Sequence, residues 1–192
     1  MHVVFLLFER ITALDAVGPY EVLARMPGAR VTFAAPIPGG FGTRALERDE
    51  RVLGWVRALD RGTTVTASVC TGALVLGAAG LLTGRRANTH WALRDRLAEY
   101  GATPVADRVV RDGKYATAAG VSAGIDLALT LAAEFAGRPA AEAIQLSIEY
   151  DPAPPFDRGN AARAPAALRD SIVERLRRRD AALADEHEAK TR

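Results

Sequence analysis

The 192 residues contain a single cysteine and three histidines. One thiol excludes an internal disulfide framework, and so few soft ligands leave no basis for a Cys/His metal cluster. Aromatic residues make up only 6% of the chain, yet with 49% hydrophobic residues the supply for a buried core is ample. No apolar run approaches the about 20 residues that a bilayer crossing needs. The stretch His2-Val3-Val4-Phe5-Leu6-Leu7-Phe8 has no basic flank and runs into Glu9 and Arg10, which predicts a strand and not a secretory signal. Excess charge is missing too: the formal net charge is +2. Positive charge gathers only in Arg175-Leu176-Arg177-Arg178-Arg179, which reads as a solvated helical face, so nucleic-acid binding is not expected. These exclusions leave a cytoplasmic globular protein with no membrane segment as the expectation.

What is present alternates between strand and helix patterns. His2 to Phe8 predicts a strand, Leu14 to Met26 a helix with Pro19 in its early turns, and Arg30 to Ala35 a second strand. A Gly-rich turn, Pro38 to Gly42, then leads into a helix expected over Thr43 to Asp60. Thr64 to Val69 is β-branched and ready to be a buried strand, and Gly72 to Ala79 reads as the helix packed on it. Further on come a short strand over Ala87 to His90, an amphipathic helix from Trp91 to Tyr100 closed by Gly101, and a hairpin about Arg111-Asp112-Gly113. Ser122 is expected to cap a helix running to Ala136, followed by another over Ala140 to Tyr150. The expected fold is α/β: three layers, with a mostly parallel central sheet and helices on both faces. The expected division is a domain over 1–156, then a charged helical tail over 157–192 after the Pro-rich arm Asp151 to Phe156.

Chemistry concentrates at Ser68-Val69-Cys70-Thr71-Gly72, where the lone thiol stands at a strand-to-helix corner. A nucleophile on such an elbow stands clear of the sheet edge, and the opening helix N-terminus is expected to lower the thiol pKa. An inert, buried core thiol is the competing reading. Asp15 begins the first helix beyond the end of the first strand, where ligands of open α/β sheets bind, and could donate a proton, bond to the sulfur or orient water. It could equally do no more than complement the helix dipole. The Gly39 and Gly40 backbone, together with the N–H of Thr71, could form an oxyanion hole. His90, expected at a strand end on the same edge, is a candidate for the substrate pocket as base or donor, or else a structural histidine. Ser122 reads as a cap and not a nucleophile.

These residues together make the chain similar to the DJ/PfpI superfamily, whose fold resembles class I glutamine amidotransferases. The resemblance is carried by Leu14-Asp15-Ala16-Val17-Gly18-Pro19-Tyr20-Glu21-Val22-Leu23, Pro38-Gly39-Gly40, Ser68-Val69-Cys70-Thr71-Gly72-Ala73, Gly84-Arg85-Arg86-Ala87-Asn88-Thr89-His90-Trp91, Ala119-Gly120-Val121-Ser122-Ala123-Gly124-Ile125-Asp126 and Ile148-Glu149-Tyr150-Asp151-Pro152, and extends to about Phe156. It is closest to the isonitrile hydratase branch and to the sensory domains of certain AraC-type regulators. The resemblance implies a lyase that hydrates an isonitrile to an N-substituted formamide, with Cys70 as nucleophile, Asp15 as its acid partner and Thr71 beside the adduct. It implies a small-molecule substrate, no cofactor, and a homodimer. PfpI-type peptidases carry a histidine directly after the cysteine, and Thr71 in that place argues against peptidase activity. A redox or small-molecule sensing domain without turnover, and glyoxalase- or deglycase-like chemistry, are the alternatives. Relatives also carry another hairpin and strand where this chain passes from Ala35 to Gly39. The intact motifs on either side favour omitted residues over a true deletion.

Overall fold

The computed structural model describes residues 1–8, 10–34 and 42–191, with side chains placed up to residue 178. Gly39, Gly40 and the Ala35–Gly39 junction lie outside the described residues. The chain forms two compact units, Met1–Tyr150 and Asp151–Arg192.

In the first unit the strands are β1 (His2–Leu6), β2 (Arg30–Ala34), β3 (Thr66–Ser68), β4 (Arg86–Ala87), β5 (Thr103–Pro104), β6 (Val109–Asp112) and β7 (Tyr115–Ala118). β1 pairs in parallel with β2, β3 with β7 and β4 with β5, while β6 and β7 form the antiparallel hairpin expected at Arg111-Asp112-Gly113. Gly113 takes the left-handed conformation (φ 56°) that this turn requires. Side-chain alternation separates two apolar layers. Val3 and Phe5 of β1 and Ala116 and Ala118 of β7 join one core with Val22, Leu127 and Leu131. Leu6 and Tyr115 face the other, which holds Val52, Val56, Leu74 and Leu97. The first core is closed by α1 (Ala13–Leu23), α5 (Ala123–Ala136) and α6 (Arg138–Ser147), the second by α2 (Gly42–Leu46), α3 (Glu50–Gly62) and α4 (Gly72–Ala78). Strands lie between two helical layers, the architecture expected from the sequence pattern.

Three local expectations are corrected. The single helix over Thr43 to Asp60 is two, because Asp49 turns out of the helix and its carboxylate accepts from the N–H groups of Arg51 (2.9 Å) and Val52 (3.4 Å) to start α3. Trp91 to Tyr100 is a 3₁₀ segment, still ended by left-handed Gly101 (φ 74°). Ser122 opens α5 without a capping hydrogen bond, and its hydroxyl instead accepts from Arg108 Nη2 at 3.2 Å. In the second unit an extended arm leads through a short 3₁₀ turn (Ala161–Arg163) into α7 (Ala166–Thr191). Arg169 Nη1 ties that turn down by donating to the carbonyls of Ala161 (3.0 Å) and Ala164 (2.9 Å).

Candidate active site

Cys70 sits in the middle of the three-residue connection between β3 and α4 with φ 53°, a left-handed conformation that costs a non-glycine residue about 1–2 kcal/mol. The surroundings hold it there from both sides. Its N–H donates to the carbonyl of Ala119 (2.9 Å), and its carbonyl accepts from the Thr89 hydroxyl (2.7 Å). Thr89 is itself fixed, since its N–H donates to Asn88 Oδ1 at 2.8 Å. The Asn88 N–H donates to Thr117 Oγ1 (2.9 Å), its amide to the Asp107 carbonyl (2.6 Å), and its Oδ1 also accepts from Arg94 Nε (2.9 Å). Asn88, Thr89 and Thr117 are fully buried, so this network is satisfied and rigid. The sequence placed Asn88 and Thr89 beside a candidate histidine but carried no signal that they clamp the cysteine from β4 and the turn after it.

Asp15 reaches the thiol because small residues let three segments close up. A Cβ on Gly124 of α5 would lie 3.0 Å from Pro19 Cγ of α1 and 3.2 Å from Val69, and one on Gly18 would lie 3.1 Å from Ile125. The first turn of α1 is thereby brought against the Cys70 corner. Burial pushes the Asp15 carboxyl up to about 6, and its hydrogen bond with Cys70 pulls the other way. Its Oδ1 is buried with no hydrogen-bond partner.

The charge state of the thiol corrects the sequence expectation. Burial, and then the Asp15 carboxylate, push Cys70 up to about 11, against opposing hydrogen bonds from the N–H groups of Thr71 and Val121 and from the Thr71 side chain. The helix that follows spans only seven residues, and Thr71 makes no side-chain cap to its backbone. Two short-range effects, desolvation and a like-signed neighbour, outweigh the helix end. Thr71 stands where the sequence placed it, donating towards sulfur through both backbone and side chain. Val121, the second backbone donor, lies on the loop after β7 and was missed.

His90 starts the 3₁₀ segment. Its Nδ1 accepts from the Ala92 N–H at 3.3 Å, its ring lies against Trp91 (centroids 5.6 Å apart), and it crowds Gly120, where a Cβ would lie 3.1 Å from Cδ2. Asp15, Thr71 and Gly72 line a cavity of about 780 Å³, and His90 is not part of its wall. Among the described residues no group of three His, Cys, Asp or Glu side chains could hold a metal ion, and no helix is long and apolar enough to cross a membrane.

Known proteins resemble this chain over most of its length. Isonitrile hydratase from Pseudomonas putida is 44% identical over 204 residues, covering 91% of this chain and 90% of the hydratase. That aligned length exceeds the chain itself, so the hydratase carries residues that have no counterpart here. The crystal structure of a THiJ/PfpI family protein from Pseudomonas syringae superposes with a TM-score of 0.85 at 34% identity, covering 95% of this chain and 90% of that one. Drosophila melanogaster DJ-1beta shares the fold at 19% identity, with a TM-score of 0.67 over 79% of this chain and 98% of its own. The model of the DJ-1/PfpI family matches residues 34–134, with Cys70 and its clamp inside the match. With the strand-to-helix cysteine, its acidic neighbour and its layered sheet, the chain belongs to the DJ-1/PfpI family.

Proposed function

We propose that this protein is a cysteine-dependent lyase that adds water to an isonitrile and releases an N-substituted formamide. The observation that carries the reading is the Asp15–Cys70 pair, a buried thiol held protonated beside a carboxyl whose pKa is about 6. At neutral pH the acid is ionised and the thiol carries its proton, which is the starting state for base-assisted attack. As Sγ bonds to the terminal isonitrile carbon, Asp15 takes the thiol proton and delivers it to that carbon, leaving a thioimidate with a C=N bond. Water then adds to the thioimidate carbon. Asp15 takes a proton from the water and passes it to nitrogen, which becomes the N–H of the product. The hydroxyl proton returns to sulfur as the C–S bond breaks, giving the formamide and restoring the thiol. Thr71, with its N–H and hydroxyl directed at sulfur, is the group that stabilises the developing thiolate.

A redox sensor would use the same lone Cys70, and turnover of an isonitrile separates the two readings. The identity to a hydratase over most of both chains supports the reaction class. The lone cysteine supports a reducing, cytosolic setting. We read the active species as a homodimer, which sedimentation equilibrium would test. The test of function is formamide formation from a panel of small isonitriles, followed by NMR for the parent and for Cys70→Ala. Product from the parent alone supports the assignment. Absence of product from the parent across the panel overturns it.

A further inference from the structure

Ser122 stands at the start of α5, where a serine ordinarily caps the helix, yet its hydroxyl caps nothing and accepts from Arg108 Nη2 at 3.2 Å. The residue before it, Val121, is the second backbone donor to the Cys70 sulfur. Thr71, the first donor, is fixed by following Cys70 directly in the chain. Val121 comes from another segment, and nothing in the proposed chemistry says what keeps its N–H on the sulfur.

The turn that carries Val121 is held at both ends and in its middle. At its start, the pairing of β6 with β7 continues one step past the hairpin: the Ala119 N–H donates to the Arg108 carbonyl (2.9 Å). The Ala119 carbonyl in turn accepts from the Cys70 N–H (2.9 Å), so this end is locked to the nucleophile itself. In the middle, the His90 ring closes on Gly120, where a Cβ would lie 3.1 Å from Cδ2. At its end, the Arg108 guanidinium reaches the Ser122 hydroxyl. That guanidinium is aimed by Asp126 in the first turn of α5, whose Oδ2 accepts from Arg108 Nε at 2.7 Å and from the Tyr150 hydroxyl at 3.2 Å. Arg108 therefore grips the turn twice, through its carbonyl at one end and its side chain at the other. Only Gly120 and Val121 lie between the two grips, and a span so short leaves the Val121 N–H little freedom of direction. Positive charge is not what Arg108 offers the sulfur, because Asp126 matches that charge at 2.7 Å.

We infer that Arg108 is a positioning residue for the reaction: by holding the Ser122 hydroxyl it fixes the turn over 120–122, so that the Val121 N–H stays directed at Cys70 Sγ. This rests on the hydratase reading for turnover alone; the reactivity of the thiol reports the same contact with no substrate present. The task suits an arginine, whose rigid fork reaches Asp126 and Ser122 together, where the ammonium of a lysine would sit on a flexible stem as a single point charge. Arg111 supplies the comparison. It too ties the hairpin to α5, through Glu134 at 2.8 Å, but its other bonds go to the carbonyls of Gly113 and Tyr115, away from the turn.

The experiment measures iodoacetamide labelling of Cys70 between about pH 7 and about pH 9, below the thiol pKa, and separately measures isonitrile turnover. Arg108→Gln should slow labelling about tenfold across that range, the lower end of what one hydrogen bond to a charged group contributes. Ser122→Ala keeps the arginine's charge and removes only the connection, and should slow labelling equally. The double variant should be no slower than either, because the two residues act through one contact, and Ser122→Thr should restore the parent's rate. In turnover, kcat should fall by the same factor while KM changes less than about twofold, since the bond to sulfur strengthens only as charge develops there. Arg111→Gln should lower the melting temperature about as much as Arg108→Gln and leave labelling and turnover at the parent's values. Slower labelling in Arg108→Gln and Ser122→Ala, with no turnover by the parent, supports the positioning role and overturns the hydratase reading. Labelling of Arg108→Gln at or above the parent's rate, or equal slowing in Arg111→Gln, makes Arg108 a structural residue and overturns the inference, with turnover by the parent leaving the hydratase reading intact. Slowing in Arg108→Gln but not in Ser122→Ala assigns the effect to charge and overturns it as well.

Discussion

Replacing Asp15 with Asn should make Cys70 more reactive, the protein more stable and the enzyme inactive, and only the arrangement seen here predicts all three together. The carboxyl is held at about 6 against an ordinary 3.8, so the fold favours its protonated form. The stability this contributes is fully present below pH 3.8 and is lost as pH rises through 6. At neutral pH the folded protein therefore carries a destabilised carboxylate. A rise of that size corresponds to about 3 kcal/mol, and the partial exposure of Asp15 reduces this to about 1–2 kcal/mol. Asp15→Asn should recover that amount at pH 7.5, raising the melting temperature by about 2–8 °C, with little change at pH 4. The thiol responds in the same direction. At about 11 against an ordinary 9.0, Cys70 is mostly protonated, and the carboxylate is the second-largest reason after burial. A thiol returned fully to its ordinary pKa would have a thiolate population about 100-fold larger at pH 7. Removing the charge alone should speed iodoacetamide labelling severalfold but by less than this, and the single cysteine makes the rate unambiguous. Isonitrile turnover should nonetheless fall by about 100-fold or more, because the proton carrier is gone. In the parent, kcat/KM should rise through pH 6 as Asp15 ionises and hold towards the thiol pKa. Slower labelling in the variant, or turnover at the parent's rate, would refute the coupling of these two groups.

Further predictions address Thr71 and the core beneath it. Thr71→Val removes the hydroxyl bond to sulfur and keeps the N–H, so turnover should drop about tenfold and labelling should slow, with Thr71→Ser restoring both. The Glu47 carboxylate is buried and accepts from Arg96 Nη2 (2.6 Å) and the Tyr100 hydroxyl (2.7 Å). Glu47→Ala leaves Arg96 without its buried partner and should cost about 3 kcal/mol in urea unfolding. A Cβ at Gly77 would lie 2.8 Å from Cδ2 of that same Tyr100 ring. Helix propensity alone would favour Gly77→Ala by about 0.5–1 kcal/mol. The clash with a ring tied to Glu47 should reverse the sign to a net loss of about 1–2 kcal/mol, read in the same assay.

The parts of the site legible in sequence are those set by a few neighbouring residues. Thr66 to Gly72 passes from a β-branched strand to an Ala/Leu helix, and that transition puts Cys70 on a sharp turn whatever surrounds it. The hairpin at Arg111-Asp112-Gly113 is equally local, as is the first helical turn that bears Asp15. Legibility ends where local signals compete. Asp49 caps its own helix and divides a segment that hydrophobic spacing alone reads as continuous, and Ser122 has a distant partner in Arg108 that its cap-like position does not reveal.

The sequence by itself determined the layered α/β pattern, the cysteine corner and the acid placed to meet it, because each is written in spacing over a handful of positions. Tertiary structure alone decided that burial and the Asp15 carboxylate push the thiol pKa up, and that Asn88, Thr89 and Thr117 hold Cys70 in a left-handed conformation. Those properties depend on desolvation and on charges and hydrogen-bond partners from segments far apart in the chain. None of them exists until the layers close.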